Sequence, residues 1–250
     1  SCLMYGFNVS MGEFIVSVDS DSTFDRDAIP NLLRPFNDPS VGAVCGNVKV
    51  RNRRENLLTT MQYCEYLIGI SIGRRFLSKV NMLTIISGAF GCYRRSALLE
   101  TGAWDPGIGD DSNVTLKTRK LGYKIGFAPD AIVMTTVPAT FSRLFKQRRR
   151  WDRSFIRNRF RKHGNILNPF VFSPTNLTAI SINAFFRIVL LFTFVFFFIR
   201  TLVRNEEMFP LIFIFGWLIY TVSAVVSLSL SIMLSERRAE EWILLIYAPL

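Results

Sequence analysis

The sequence has little of what several enzyme classes require. Its 250 residues contain one histidine, His163, and four cysteines without a CxxC pair. These counts argue against a Ser-His-Asp triad and against a zinc site built from histidine and cysteine. The cysteine spacing also predicts no disulfide framework, as is typical of proteins that face a reducing compartment.

The composition is rich in apolar residues and in positive charge. Half of the residues are hydrophobic and 20% are charged, which excludes a disordered chain, and the formal net charge is +11. Phe, Ile, Leu and Val are concentrated after residue 175. Because ~20 apolar residues cross a bilayer, we predict a transmembrane region at 176–250. Its expected spans are 178–199 and 208–234, with the start of a third at 242.

A strongly basic segment precedes these spans. Residues 141–163 contain ten Lys or Arg residues interleaved with aromatic ones. We interpret residues 141–175 as an amphipathic interface helix with a connector, and a nucleic-acid patch is the alternative. The position before membrane spans favours the membrane surface. The positive-inside rule then places residues 1–140 in the cytoplasm, below a multi-pass plasma-membrane region. Both ends of the chain have the look of a fragment.

Apolar periodicity predicts alternating strands and helices in the first part of the chain, which indicates an α/β domain. Strands are expected at 13–19, 41–50, 124–128 and 131–136. Residues 82–93 are expected to form a strand or a segment with a turn. Helices are expected at 25–36, 54–76, 96–101 and 110–121.

The first candidate site is Asp19-Ser-Asp21, at the end of a predicted strand. Ligands of α/β sheets bind beyond the carboxyl ends of strands. Two carboxylates at this spacing can hold Mg²⁺ or Mn²⁺ against phosphate oxygens. Taken alone, the pattern is more often that of a solvated loop or a helix cap.

Two further candidate sites follow along the chain. Asp110 and Asp111 combine a structural acid with a general base, or are acids of a helix's first turn. Gln147, Arg150 and Trp151 suit a diphosphate and a sugar face, or form an interfacial anchor.

The order DxD, GDD, QxxRW and then membrane spans resembles the processive family 2 glycosyltransferases. These include the cellulose, chitin, hyaluronan and poly-N-acetylglucosamine synthases, and the resemblance covers nearly the whole chain. It implies a GT-A (Rossmann-like) domain of α/β class, N-terminally truncated and followed by transmembrane α-helices. The family's first nucleotide-binding acids would lie upstream of residue 1.

Two features bear on the subgroup within the family. Ser112 follows the GDD where chitin and hyaluronan synthases tend to have Arg, and residues 46–53 look closer to the poly-N-acetylglucosamine group.

The resemblance also implies residue roles. The implied roles are nucleotide and metal binding for Asp19 and Asp21, a general base at Asp111 beside Asp110, diphosphate binding for Gln147 and Arg150, acceptor stacking for Trp151, and acceptor lining for Ser87 and Gly88.

The implied activity is inverting transfer from UDP-N-acetylglucosamine or UDP-glucose to a growing β-linked polysaccharide, processive and coupled to export. Its partners are the UDP-sugar, the polysaccharide and the lipid bilayer, without nucleic acid, and its cofactor is Mg²⁺ or Mn²⁺. Two alternatives stay open. One is a non-processive membrane glycosyltransferase with a lipid-linked acceptor, and the other is a non-catalytic basic membrane protein.

Overall fold

A computed structural model describes residues 2–107, 109–168, 170, 174–204, 206–235 and 238–249. The chain divides into two compact units, Ser1–Asn176 and Leu177–Leu250. The first unit contains a sheet and helices, and the second is helical.

The described residues contain five strands that form one mixed sheet in the order β1-β4-β3-β5-β2. The neighbours β3 and β5 are parallel, and the other pairs are antiparallel. The strands are β1 (Phe14–Val18), β2 (Thr23–Phe24), β3 (Val41–Val50), β4 (Phe90–Arg94) and β5 (Lys124–Thr135).

Helices cover both faces of this sheet. Those of the first unit are α1 (Cys2–Val9), α2 (Ala28–Leu33), α3 (Leu57–Tyr66), α4 (Arg75–Lys79), α5 (Arg95–Thr101), α6 (Asp110–Lys120) and α7 (Phe141–Ile156). A 3₁₀ turn, Arg34–Asn37, follows α2, and a second one, Gly164–Leu167, lies beyond α7. Two π-helical stretches, Leu67–Arg74 and Arg157–Lys162, continue α3 and α7.

The central strand β3 explains why the core lies on both sides of the sheet. All ten of its residues are buried. Ala43 and Cys45 belong to a core cluster that includes α5 and α6, whereas Val44 and Val48 belong to one that includes α2. Successive side chains of a strand point to opposite faces, so a continuous apolar run is what a strand covered on both faces requires.

Three sequence-based predictions for this unit need correction. The two strands expected around Pro129 are one strand, β5, with an irregular register between Gly46 and Asn47 of its partner β3. Pro129 has no N–H to donate to the neighbouring strand, which interrupts the regular pairing. Its carbonyl accepts a hydrogen bond from the Asn47 side chain at 2.9 Å. The helix expected at 54–76 changes to π-helical winding at Leu67. The helix expected at 25–36 is an α-helix only over Ala28–Leu33 and continues as a 3₁₀ turn. Residues 82–93 are a segment with a turn, one of the two expected forms, and become a strand at Phe90.

The second unit contains all of α8 (Pro174–Arg204) but its first three residues, a 3₁₀ turn (Glu206–Met208), α9 (Phe209–Met233), α10 (Arg238–Glu241) and a 3₁₀ helix (Trp242–Tyr247). Among the described residues, α9 alone is long and apolar enough to cross a membrane. The span expected at 178–199 lies in α8, where most side chains before residue 191 are outside the described part. The apolar stretch described there, Leu191–Thr201, is a shorter one.

Candidate active site

The Asp19–Asp21 turn begins where β1 ends. The backbone N–H of Asp19 donates to the carbonyl of Ala89 at 3.4 Å, which places the turn beside the segment leading into β4. The Ser22 N–H closes the turn on the Asp19 carbonyl at 3.0 Å. Arg51 donates to the Asp21 carbonyl at 2.7 Å. Both carboxylates therefore start from a fixed backbone at the edge of the sheet.

Asp110 and Asp111 form the first turn of α6, where the helix dipole favours negative charge. Asp111 Oδ1 accepts from the Ser112 N–H at 2.7 Å. One turn later, the Thr115 hydroxyl donates to the Asp111 carbonyl at 2.7 Å and accepts from the Ile86 N–H at 3.2 Å. These bonds attach the start of α6 to the segment that carries Ser87 and Gly88.

Gly88 is in direct contact with Asp111. Its backbone N–H is hydrogen-bonded to the Asp111 carboxylate. A Cβ atom at Gly88 would lie 3.5 Å from Asp111 Oδ2. Ser87 is held by its own N–H, which donates to Cys45 Sγ at 3.3 Å. Of the two residues expected to line the acceptor end, Gly88 therefore lies against the residue expected to act as the base, and Ser87 directly precedes it.

The glycine before the acids adopts a conformation that few other residues tolerate. Gly109 has φ +76° and caps the start of α6. A Cβ at this position would collide with the Ser154 side chain, because the end of α7 packs directly on the turn. Beyond α7, the Asn158 side chain donates to the Gly109 carbonyl at 2.7 Å.

The QxxRW residues lie on α7. Gln147 is partly buried, and its Oε1 atom has no hydrogen-bond partner within the described part of the chain. Arg150 is exposed, and its charge acts on Asp19. Trp151 is 40% exposed, so part of its indole is open to solvent.

Electrostatics link the three motifs. Partial burial raises the pKa of Asp19, the Asp21 and Asp110 carboxylates raise it further, and the Arg150 guanidinium opposes them. Burial likewise raises the pKa of Asp111, with a further contribution from Asp110. The charges of Asp21, Asp110 and Arg150 thus act on the pKa of Asp19, which links one residue of each motif electrostatically.

The acids fit a hard divalent cation that is shared with a phosphate. Within the described residues, no group of three His, Cys, Asp or Glu residues could hold a metal ion alone. Mg²⁺ needs no such group, because it is usually held by one or two carboxylates together with substrate phosphates. Burial and, after it, the repulsion from Asp21 and Asp110 raise the pKa of Asp19, and a bound cation would relieve that repulsion.

The sequence of this chain matches a known protein family. The family model described as "Glycosyltransferase like family 2" matches residues 2–154. The chain belongs to glycosyltransferase family 2. Its sheet and helices are those of the GT-A fold, as expected from the sequence, and the resemblance to this family is confirmed.

Several relatives are similar to this family 2 domain. An N-acetylglucosaminyltransferase of Rhizobium meliloti is 34% identical over 160 residues, covering 60% of this chain and 38% of the relative. A poly-beta-1,6-N-acetyl-D-glucosamine synthase of Staphylococcus aureus is 33% identical over 153 residues, covering 60% and 37%. The chain thus spans less than half the length of these relatives. A solved Pyrobaculum calidifontis mannosyltransferase, in complex with GDP-Man and Mn²⁺, matches with TM-score 0.47 and 23% identity, covering 73% of this chain and 53% of that one.

Some residues of this family 2 site were not predicted from the sequence. Asn158, which fixes the turn before the acids, lies in the basic run and looks like one polar residue among many. Arg74 donates to Cys45 Sγ at 2.8 Å, and its charge acts on Asp111. No local pattern signals either contact, because each joins elements that are distant in sequence.

Proposed function

We propose that this chain is part of a membrane-bound glycosyltransferase that extends a β-linked polysaccharide from a UDP-sugar by inverting transfer. The observation that carries the proposal is that Asp21, Asp110 and Arg150 all act on the charge of Asp19. These influences support a site that combines acids for a cation with a cation for phosphate, and the proposed base, Asp111, directly follows Asp110 in α6. N-acetylglucosamine is the favoured sugar, because the two relatives are N-acetylglucosaminyl enzymes by name.

Asp111 is the proposed general base. It is half-buried and accepts N–H bonds from Gly88 and Ser112, which orient its carboxylate. The carboxylate takes the proton of an acceptor hydroxyl as the hydroxyl oxygen attacks the anomeric carbon of the donor. The new glycosidic C–O bond forms while the bond to UDP breaks, and UDP leaves with the electron pair. Attack from the face opposite UDP inverts the anomeric centre.

The donor side uses the remaining motif residues. Asp19 and Asp21 would hold Mg²⁺ or Mn²⁺, which when bound neutralises charge on the UDP diphosphate. Arg150 binds phosphate oxygens through its guanidinium. Gln147 supplies a side-chain amide whose Oε1 atom is buried and unpaired within the described residues. A ligand hydroxyl would satisfy this oxygen, since buried polar atoms are normally paired.

The acceptor side is proposed at Trp151, Ser87 and Gly88. The indole of Trp151 offers a flat surface to the C–H groups of a sugar ring. Gly88 leaves room beside Asp111 Oδ2. A sugar that stacks on the indole would then present a hydroxyl toward the base.

Membrane attachment is proposed from the helices. Along α7 and its π-helical continuation, Phe141, Phe145, Ile156 and Phe160 are all exposed and recur at helical spacing. Such a face suits the lipid interface. With α9 as a candidate span, we propose a cytoplasmic catalytic part at 1–140, an interface segment at 141–175 and a multi-pass plasma-membrane region from 176. Processive synthesis and export through this membrane region are part of the proposal, and nucleic acid has no part in it.

The test uses the full-length protein that carries this chain, in nanodiscs with Mn²⁺ or Mg²⁺. UDP-N-acetylglucosamine, UDP-glucose and UDP-glucuronate are supplied singly and in pairs, and UDP release and product length are measured. Long polymer from UDP-N-acetylglucosamine alone is expected, and chelation should abolish it. UDP release with single-sugar products would favour a lipid-linked acceptor. No turnover by a folded protein with any donor would contradict the proposal.

A further inference from the structure

Arg148 is one of two residues of the QxxRW segment, with Arg149, to which the proposed reaction gives no role. Its guanidinium forms a two-pronged ion pair with Glu65, with Nη1–Oε1 at 2.8 Å and Nη2–Oε2 at 2.5 Å. The same guanidinium lies over the Trp151 ring, 4.6 Å from the ring centroid. One planar cation therefore connects Glu65 of α3 with the indole on α7.

The ion pair joins α3 to α7, and hydrogen bonds hold α3 to the residues that directly precede α7. The Asn56 side chain, which caps α3, donates to the Ala139 carbonyl at 2.9 Å. The Gln62 side chain donates to the Pro138 carbonyl at 2.8 Å. Since α7 begins two residues after Ala139, these bonds set α3 beside it. Glu65, one turn beyond Gln62, then meets Arg148.

A cation stacked on one face of an indole limits the movement of the ring and leaves the other face for a ligand. A guanidinium over an aromatic ring is attracted by the ring's quadrupole and limits its rotation. Trp151 is 40% exposed, so the ring is held by Arg148 while part of it stays open. The carboxylate of Glu65 occupies both Nη atoms of Arg148, which keeps the guanidinium from turning toward solvent or phosphate.

We propose that Glu65 and Arg148 are positioning residues that hold the Trp151 indole at the angle at which it stacks on the acceptor sugar. The proposal rests on the acceptor role of Trp151 given above. It assigns the Glu65–Arg148 pair to acceptor binding and product length, and not to the donor. A pair this exposed contributes little to folding stability, so its variants should fold.

The experiment compares Glu65→Gln and Arg148→Lys with the wild-type full-length protein in nanodiscs. Lysine keeps the charge but loses the planar, two-pronged geometry. Both variants should raise KM for an oligosaccharide acceptor about three- to tenfold and shorten the product. KM for the UDP-sugar and the thermal midpoint should stay within error. Arg149→Lys, at an exposed position on the same helix, is the matched control and should change none of these values.

A charge-swapped double variant separates positioning from a structural clamp. Glu65→Arg combined with Arg148→Glu keeps an ion pair between the helices but puts a carboxylate beside the indole. If the ring needs its cation, the swap will not restore product length or the acceptor KM. Full restoration by the swap would overturn the proposal, since the pair would then act only by joining α3 to α7.

Trp151→Ala distinguishes failure of this inference from failure of the proposed function. If Trp151→Ala leaves acceptor KM and product length unchanged, the acceptor role of Trp151 is wrong and the positioning role falls with it. If Trp151→Ala raises acceptor KM while Glu65→Gln and Arg148→Lys do not, the positioning proposal alone is overturned.

Discussion

The side-chain amide of Asn158 donates a hydrogen bond to the carbonyl of Gly109 at 2.7 Å, across 49 residues of sequence. A second bond, between His163 Nε2 and Asn113 Oδ1 at 2.9 Å, joins the same two regions. The segment that follows QxxRW is therefore fixed to the helix that begins with the GDD acids. This attachment makes the position of the proposed base depend on the end of α7.

Gly109→Ala should disrupt this attachment. The substitution strains a left-handed residue by about 1–2 kcal/mol, and its Cβ collides with Ser154, which adds about 1–3 kcal/mol. Gly122→Ala is the matched control, because Gly122 has φ +88° but open space around its Cβ position. Chemical denaturation and transfer assays should show a larger stability loss and a larger activity loss for Gly109→Ala. Equal losses in the two variants would argue against the packing explanation.

Asp111→Asn should abolish transfer while preserving donor binding. Loss of a general base lowers kcat by about 10²–10⁴-fold, and the amide oxygen can still accept the Ser112 N–H bond. Single-turnover assays and UDP titration measure the two properties. Activity equal to that of the wild type would remove Asp111 as the base.

The same variant should be more stable than the wild type near neutral pH. The pKa of Asp111 is raised in the folded state, mainly by burial. Its favourable contribution is therefore complete below the unfolded pKa and is lost as the pH rises through the folded value. Thermal midpoints measured from pH 3 to pH 8 should show an advantage of Asp111→Asn that shrinks toward acidic pH. A variant less stable at every pH would contradict this electrostatic account.

Gly88→Ala should separate folding from chemistry. Its Cβ would lie at ordinary contact distance from Asp111 Oδ2, and Gly88 is not among the glycines with positive φ. The unfolding free energy should be unchanged or raised by about 0.4–1 kcal/mol. Transfer should fall about 10–100-fold, because the methyl group displaces the acceptor hydroxyl. Gly91→Ala, whose Cβ would collide with Ile86, should lose stability as well.

His163 should make the fold sensitive to acid. Burial lowers its pKa to about 4, and the positive charges of Lys120, Lys162 and Lys117 act in the same direction. Because the folded pKa is below the unfolded value, its contribution is complete above pH 6.5 and is lost as pH falls through about 4. Asp105, whose pKa is held well below its usual range mainly by its hydrogen bonds from Lys117 and Lys162, titrates below this window.

Denaturation midpoints of the wild type and His163→Gln between pH 7 and pH 4 test this expectation. The variant should lose less stability across the window, although it starts about 1–3 kcal/mol lower if the bond to Asn113 is lost. Parallel pH curves for the two proteins would show that other groups cause the acid sensitivity.

Local patterns predicted the elements whose burial is continuous. β3 has the predicted bounds, 41–50, because a strand covered on both faces leaves an unbroken apolar run. α1 and the two-residue β2 were not predicted. Thr23 and Phe24 carry no periodicity, and they form a strand only by pairing with Met134 and Val133 of β5.

The candidate site, like the fold, could be predicted from the sequence only where the signal lies within one element. The acids of a helix's first turn and the Gln-Arg-Trp set can be read from the sequence, and it was the family resemblance that implied a shared role for the motifs of Asp19, Asp111 and Arg150. The bonds of Asn158 to Gly109 and of Arg148 to Glu65 depend on which helices cross. No spacing within one element encodes such crossings, so these residues became visible only in the folded chain.

The raised pKa values of Asp19 and Asp111 have a consequence for the history of such genes. Ionised carboxylates at these positions disfavour the folded state at neutral pH, so selection for folding alone would replace them with neutral residues. Under the proposed function, selection on transfer would retain them. A duplicated gene released from that selection would then be expected to lose these acids early while still encoding a folded protein.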